Sequence, residues 1–171
     1  MDRKLCAGFA FVLVIICISL GNRANGQSAA GTFAFRSGQS MYIVAFRRYH
    51  TQVIVDPLKG TVATSENINL ELGAESKVRD RIEEWRFFKV SDKPSGADFV
   101  FLVSLDDNSM EGLAVPFDAY NHHFKEKFDL DALRDSAYGR YLAGPLKLAS
   151  EGRLSDRLIK DFRLKLEKGG K

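Results

Sequence analysis

A chain of 171 residues with 25 basic and 22 acidic side chains carries a net charge of +3. The length suits one domain of ordinary size, and so small a charge excludes the concentrated basic face on which nucleic-acid binding depends. Both cysteines, Cys6 and Cys17, lie near the N-terminus, so the rest of the chain has no thiol for a disulfide, a zinc site or a nucleophile.

The first twenty-six residues have the three-part layout of a secretory signal peptide. A short net-positive start, Met1 to Lys4, precedes an uncharged apolar run from Leu5 to Leu20 and then the polar segment GNRANG. The small residues Ala24 and Gly26 suit a signal peptidase, which would leave Gln27 as the new N-terminus. The rival reading is a retained membrane anchor, for which the apolar run is shorter than the ~20 residues a spanning helix needs. Cys17 follows Ile16 rather than a small residue, so it does not read as a lipid-attachment cysteine. Cleavage would remove Asp2, Arg3, Lys4 and Arg23, lowering the net charge by two to +1. The expected destination is the periplasm or the exterior.

Residues 27–39 read as a flexible leader with room for a short strand at Thr32–Phe35. Ser40 to Phe46 (SMYIVAF) is apolar at both alternating sets of positions, as in a strand covered on both faces. Val53-Ile54-Val55 reads as a second short run stopped by Asp56-Pro57, with a turn at Lys59-Gly60. Thr61 to Asn69 is polar and rich in residues that cap helices. A helix is expected over 69–84, on a stripe of Leu70, Ala74, Val78 and Ile82, with Asn67 or Asn69 as its cap and a Glu75–Arg79 pair on its polar face.

Trp85 to Leu105 (WRFFKVSDKPSGADFVFLVSL) reads as strand, turn, strand. Ser91 to Gly96 supplies the turn chemistry, and Phe99 to Val103 is apolar on both faces, as in an interior strand. Asp106 to Ser109 is a further turn. Gly112 to Phe117 is a short strand at an edge or a strand end, because Pro116 cannot donate to a ladder. Asp118 to Lys127 reads as polar loop or helical turn. Two helices should close the chain, one on Leu130, Leu133, Ala137 and Tyr141 capped by Asp129 and stopped at Gly144-Pro145, the other on Leu158, Ile159, Phe162 and Leu166 capped by Ser155. In the second, Asp156–Lys160 and Asp161–Lys165 have the spacing of ion pairs, and the tail 169–171 should fray. The expected fold is therefore α/β or α+β. It is a single domain over 40–168 with a mixed sheet of about four strands, an amphipathic helix after the first strand and two C-terminal helices.

No familiar catalytic motif is present: no nucleophile elbow, phosphate-binding loop, dinucleotide fingerprint or metalloprotease helix. His122-His123 are adjacent, a spacing that points the two rings apart and suits a solvated loop better than a shared metal. Asp106, Asp107, Asn108 and Glu111 form a small acidic loop without the spaced calcium pattern. Arg157, Lys160, Arg163, Lys165 and Lys168 on the last helix could face a membrane surface, but Asp156, Asp161 and Glu167 interrupt them. The cluster Arg47-Arg48-Tyr49-His50 after the first strand is the candidate contact for a ligand or partner. No catalytic, cofactor-binding or metal-ligating residue is assigned, and no cofactor is expected.

The order MYIVAF, helix, then IEEWRFFKVSDKPSGADFVFLVSL resembles the small β-α-β-β module of bacterial envelope proteins. Such modules occur in the N-terminal domain of the Tol-system periplasmic protein and in the lipoprotein activators of penicillin-binding proteins. The resemblance rests on Tyr42–Phe46, Leu70–Ile82, Phe87–Val90 and Ala97–Val103, including the Ala97-Asp98 dipeptide, and has no counterpart after Asp118. It implies a noncatalytic, envelope-associated module that contacts another protein. The alternatives are an exported domain that binds a small ligand or metal ion, using the Arg47–His50 cluster or the 106–111 loop, and more remotely a small exported hydrolase.

Overall fold

The computed structural model describes residues 33–56, 61–145 and 150–169, with residues 50–56, 61–66 and 169 described by backbone alone. The expected signal segment, the start of the expected leader including Thr32, the expected turn at Lys59-Gly60 and the end of the tail lie outside the described residues.

The architecture is α+β. A mixed sheet of six strands carries α-helices on both faces, and the described residues include four such helices. The long paired strands run in the order β2 (Thr61–Leu70), β1 (Ser40–Asp56), β4 (Phe99–Leu105), β5 (Met110–Val115), β6 (Gly139–Ala143). Strands β1 and β4 are parallel; β1–β2, β4–β5 and β5–β6 are antiparallel.

Two-faced apolar strands need cover on both sides, and both sides receive it. Met41, Ile43 and Ala45 of β1 and Phe99, Phe101 and Val103 of β4 face α1 (Leu72–Trp85) and α4 (Glu151–Gly169). The alternate residues Val44, Phe46, Val100 and Leu102 face Tyr120, Phe124, Leu130 and Leu133. These last come from α2 (Phe117–Tyr120), the π-helical turn Asn121–Glu126 that continues it, and α3 (Leu130–Asp135). Every residue of β4 and β5 is buried. Gly112 is required where β5 passes β4, because a Cβ there would stand 2.6 Å from the Phe101 ring.

Several elements depart from the sequence expectations. The run Val53-Ile54-Val55 is not a separate strand but the continuation of β1, and the polar segment after it is β2, paired from Phe46↔Leu70 to Asp56↔Thr61. A ladder is made by backbone groups, so a polar segment beside a long strand joins it readily. Consequently Asn67 and Asn69 lie in β2 and are not the N-cap of the helix. Helix α1 starts at Leu72 after Glu71, whose N–H closes onto the Ala45 carbonyl at 2.9 Å. The expected stripe is buried at Ala74, Val78 and Ile82 but not at Leu70, which is 62% exposed at the strand end. The Glu75–Arg79 pair forms at 3.8 Å.

Trp85 is the last residue of α1, not the first of a strand. Arg86 then takes a left-handed conformation, φ 58°, and donates its N–H to the carbonyls of Ile82 and Glu83. Glycine usually fills this position, so no glycine marks the helix end in the sequence. The strand that follows, β3, is only Lys89–Val90 and pairs in parallel with Ser40 and Met41 of β1. The anticipated hairpin is therefore absent: β3 and β4 flank the start of β1 on opposite sides. The segment between them contains a 3-10 turn at Pro94–Gly96 and is pinned by Asp98, whose carboxylate accepts from the Ser40 N–H at 2.6 Å and from its hydroxyl at 2.9 Å.

Strand β5 is interior rather than an edge. Pro116 falls just past it, where its missing N–H costs the ladder nothing. Of the segment 118–127, expected as polar loop or helical turn, residues 118–126 are helical. Asp129 caps α3 as expected, accepting from the Ala132 N–H at 3.0 Å. That helix stops at Asp135, because Tyr141 belongs to β6 and pairs with Gly112. Ser155 is inside α4 rather than its cap, and its hydroxyl donates back to the Glu151 carbonyl at 2.9 Å. Asp161–Lys165 pairs at 2.8 Å, whereas Asp156 reaches across to Arg81 on α1.

Residues 33–35 form no strand. Their two phenylalanines instead pack on the core: Phe33 stacks on Tyr138 at 3.9 Å and Phe35 meets Phe99 edge-on at 5.3 Å.

Candidate functional site

The Arg47–His50 cluster sits where β1 leaves the body of the sheet. Residues 41–47 are laddered to β4, which ends at the Arg47↔Leu105 pair. From Arg48 onward β1 has only β2 as a strand partner among the described residues, through Arg48↔Ile68 and on to Asp56↔Thr61. At ~3.3 Å per residue this two-stranded ribbon extends roughly 25–30 Å beyond the sheet.

The cluster is divided by the strand's alternation. Arg47 is held at the base, with Nε 3.2 Å from Glu71 and Nη1 3.5 Å from Asp107. The second of these contacts accounts for one member of the acidic loop. Arg48 points to the opposite face and lines a cleft of about 390 Å³ with Ser104, Glu111, Arg134 and Arg140. Tyr49 is 43% exposed. The side chain of His50 lies outside the described residues. Arg47 and Arg48 therefore do not converge on one point.

The most developed polar constellation was not visible from sequence spacing. Glu111, buried on β5, receives Nε and Nη2 of Arg134 at 3.1 and 2.7 Å and Nε of Arg140 at 2.5 Å. Burial pushes the Glu111 carboxyl up, but the hydrogen bonds and charge of Arg134, joined by Arg140, outweigh it and leave the group below the usual carboxylate range. A carboxylate held ionised by two guanidinium groups is a brace between α3, β5 and β6. It is a poor proton donor. Only its position opposite Leu142 in the β5–β6 ladder brings it to Arg140, and that pairing follows from the topology.

The remaining candidates are dispersed. His122 Nδ1 lies 2.9 Å from Glu126 on the exposed side of the π-helical turn, and its ring is 4.8 Å from that of His123. Among the described residues no three His, Cys, Asp or Glu side chains come together as a metal site. No helix there is long and apolar enough to cross a membrane.

The two edges of the sheet differ. On β6 the Leu142 N–H donates to the Asp161 carboxylate of α4 at 2.9 Å, and the Lys165 ammonium donates to the Arg140 carbonyl at 2.8 Å. Side chains of α4 thus occupy backbone groups that another strand would need. On the far side, β2 is the terminal strand and carries the ribbon outward.

A second concave feature of about 590 Å³ lies between the end of α1, the start of β6 and the last turns of α4. Its walls are Phe33, Trp85, Phe87 and Tyr138, with Arg163 and Lys165 at the α4 side. Compared with known protein families, curated proteins and solved structures, the chain matches none.

Proposed function

We propose that this chain is an exported, noncatalytic domain of a bacterial cell envelope that binds a protein partner through the β1–β2 ribbon. One observation carries the reading: the ribbon runs nine residues of β1 (48–56) past the last β4 pair with no strand on either outer side among the described residues. A two-stranded hairpin alone is marginally stable in water, and open strand edges are templates for another chain. A segment this long, paired beyond the end of β4, suits strand addition by a partner: main-chain hydrogen bonds supply affinity and alternate side chains supply selectivity. The resemblance of residues 42–103 to envelope modules and the signal-like N-terminus support the envelope setting.

The test is site-specific photocrosslinking in the native envelope. Crosslinker placed at Thr51 or Ser65 on the ribbon is expected to capture one discrete protein, while crosslinker at Lys160 on α4 does not. The captured protein, once purified, should bind the full chain and lose binding when residues 49–67 are replaced by an Asn-Gly turn joining Arg48 to Ile68. Equal capture from both positions, or unchanged binding by the shortened chain, defeats the ribbon reading. N-terminal sequencing of exported protein is expected to begin at Gln27, and a retained Met1 would refute cleavage.

A further inference from the structure

The aromatic cleft between α1, β6 and α4 is independent of the ribbon. Two stacked pairs build its walls, Phe33 on Tyr138 at 3.9 Å and Trp85 on Phe87 at 5.1 Å. Its volume, about 590 Å³, falls within the usual range for small-molecule sites. Three cations line it, and two of them are committed elsewhere: Arg140 to Glu111 at 2.5 Å and Lys165 to Asp161 at 2.8 Å. Arg163 is the third. Its guanidinium lies over the Trp85 ring, 4.9 Å from the centroid. Its Nε is buried without a hydrogen-bond acceptor, and it has no carboxylate partner among the described residues. Glu167 is the acidic residue of the lining, one turn further along α4.

We infer that this cleft binds a small molecule with a planar apolar body and a single anionic head, a carboxylate or sulfonate, with the head on Arg163 and the body between the aromatic pairs. A guanidinium held over a ring face keeps its outer N–H edge for an acceptor in its own plane, and an anionic oxygen in the cleft can take that place. Apolar contact with the aromatic walls, including Phe87 and Tyr138, holds the body. The last helix thus contributes one unpaired cation at the cleft rather than a continuous basic face.

Trp85 is the sole tryptophan of the chain, so one indole in the cleft wall supplies the signal, and the Arg163 variants tie that signal to the cleft. Titration of the full mature protein with 1-anilinonaphthalene-8-sulfonate is expected to quench Trp85 saturably. N-phenyl-1-naphthylamine, which has the same rings without the sulfonate, should bind about tenfold more weakly, the loss of a charge-assisted contact. Arg163→Met should lower the sulfonate's affinity by a similar factor and leave the neutral probe unchanged, with Arg163→Lys in between. Arg157→Met, an exposed cation on the same helix outside the cleft, should change neither. Absence of saturable quenching overturns the site. So does equal affinity for the two probes in the wild-type protein, a comparison that decides even if Arg163→Met fails to fold. An effect of Arg157→Met as large as that of Arg163→Met also overturns it.

Discussion

The two edges of this sheet have been finished in opposite ways. At β6, Asp161 and Lys165 reach from α4 onto the Leu142 N–H and the Arg140 carbonyl, so the edge is spent within the fold. At the other side β1 and β2 continue past the body as a ribbon. The same contrast exists inside β1. Residues 41–47 pair with β4 and bury Ile43, Ala45 and Phe46 completely, whereas residues from Arg48 onward pair with no strand but β2 among those described. A β-strand is stabilised by what lies beside it and on its faces, not by its own composition, so one continuous strand can serve as core at one end and as an arm at the other. The interior end explains the fold; the outer end is where we propose that a partner adds.

That contrast makes graded predictions. The largest effect belongs to the body. Phe101 is fully buried, stacked 5.2 Å from Phe162, so Phe101→Ala is expected to lose about 3–5 kcal/mol in denaturant melts. A loss under ~1 kcal/mol would mean that the centre of the sheet is not the packed core described.

Next comes the polar brace near the closed edge. Glu111→Ala leaves Arg134 and Arg140 without their shared acceptor, and about 1–3 kcal/mol of stability should be lost. The loss depends on pH in a defined direction. A carboxyl whose folded pKa is depressed contributes its stability above the unfolded value of ~4.3 and loses it as pH falls through the folded pKa. The gap between wild type and variant should thus be full at neutral pH and shrink in acid melts below about pH 4. A gap that widened in acid would contradict the brace. Gly112→Ala, which drives a methyl against Phe101, should cost about 1–3 kcal/mol by overpacking, and no change would indicate that β4 and β5 have room to separate.

At the open edge the expected stability effect is much smaller. Replacing residues 49–67 by Asn-Gly should change the unfolding free energy by about 1 kcal/mol or less, as surface changes do. A collapse of the fold would show that the ribbon belongs to the core and would erase the distinction between the two ends of β1. The smallest effect tests the end of α1. Arg86→Gly relieves a left-handed arginine at a cost in chain entropy, so the net should lie between no change and a gain of about 1 kcal/mol. A glycine within a true strand would instead lose roughly 0.5–1 kcal/mol.

The parts legible in the sequence were those with strong apolar patterning. Phe99–Val103, Ser40–Phe46, the Ala74, Val78 and Ile82 stripe, and the last helix all stand where their periodicity puts them. The reading failed where the deciding partner was distant or the signal was missing. Arg86 ends a helix without a glycine, so Trp85-Arg86-Phe87-Phe88 looked like a strand. Thr61 to Asn69 is polar and became a strand only because β1 lies beside it. Tyr141 has near-helical spacing from Leu133 and Ala137, but β5 needed a neighbour and took it. The candidate contact residues Arg47, Arg48 and Tyr49 were expected after the first strand but lie inside β1, where the alternation that sends Arg47 and Arg48 to opposite faces divides them between two surroundings. The Glu111 brace and the aromatic cleft join residues far apart in the chain, and no local spacing announces either.

The sequence by itself determined which segments must be buried, because burial of apolar surface is a local property of residue type and period. The tertiary structure alone decided which strand borders which, and therefore which edge is capped and which stays open. Backbone hydrogen bonds carry no side-chain label: any extended segment can pair with any other, and only the assembled layers settle which pairs are made.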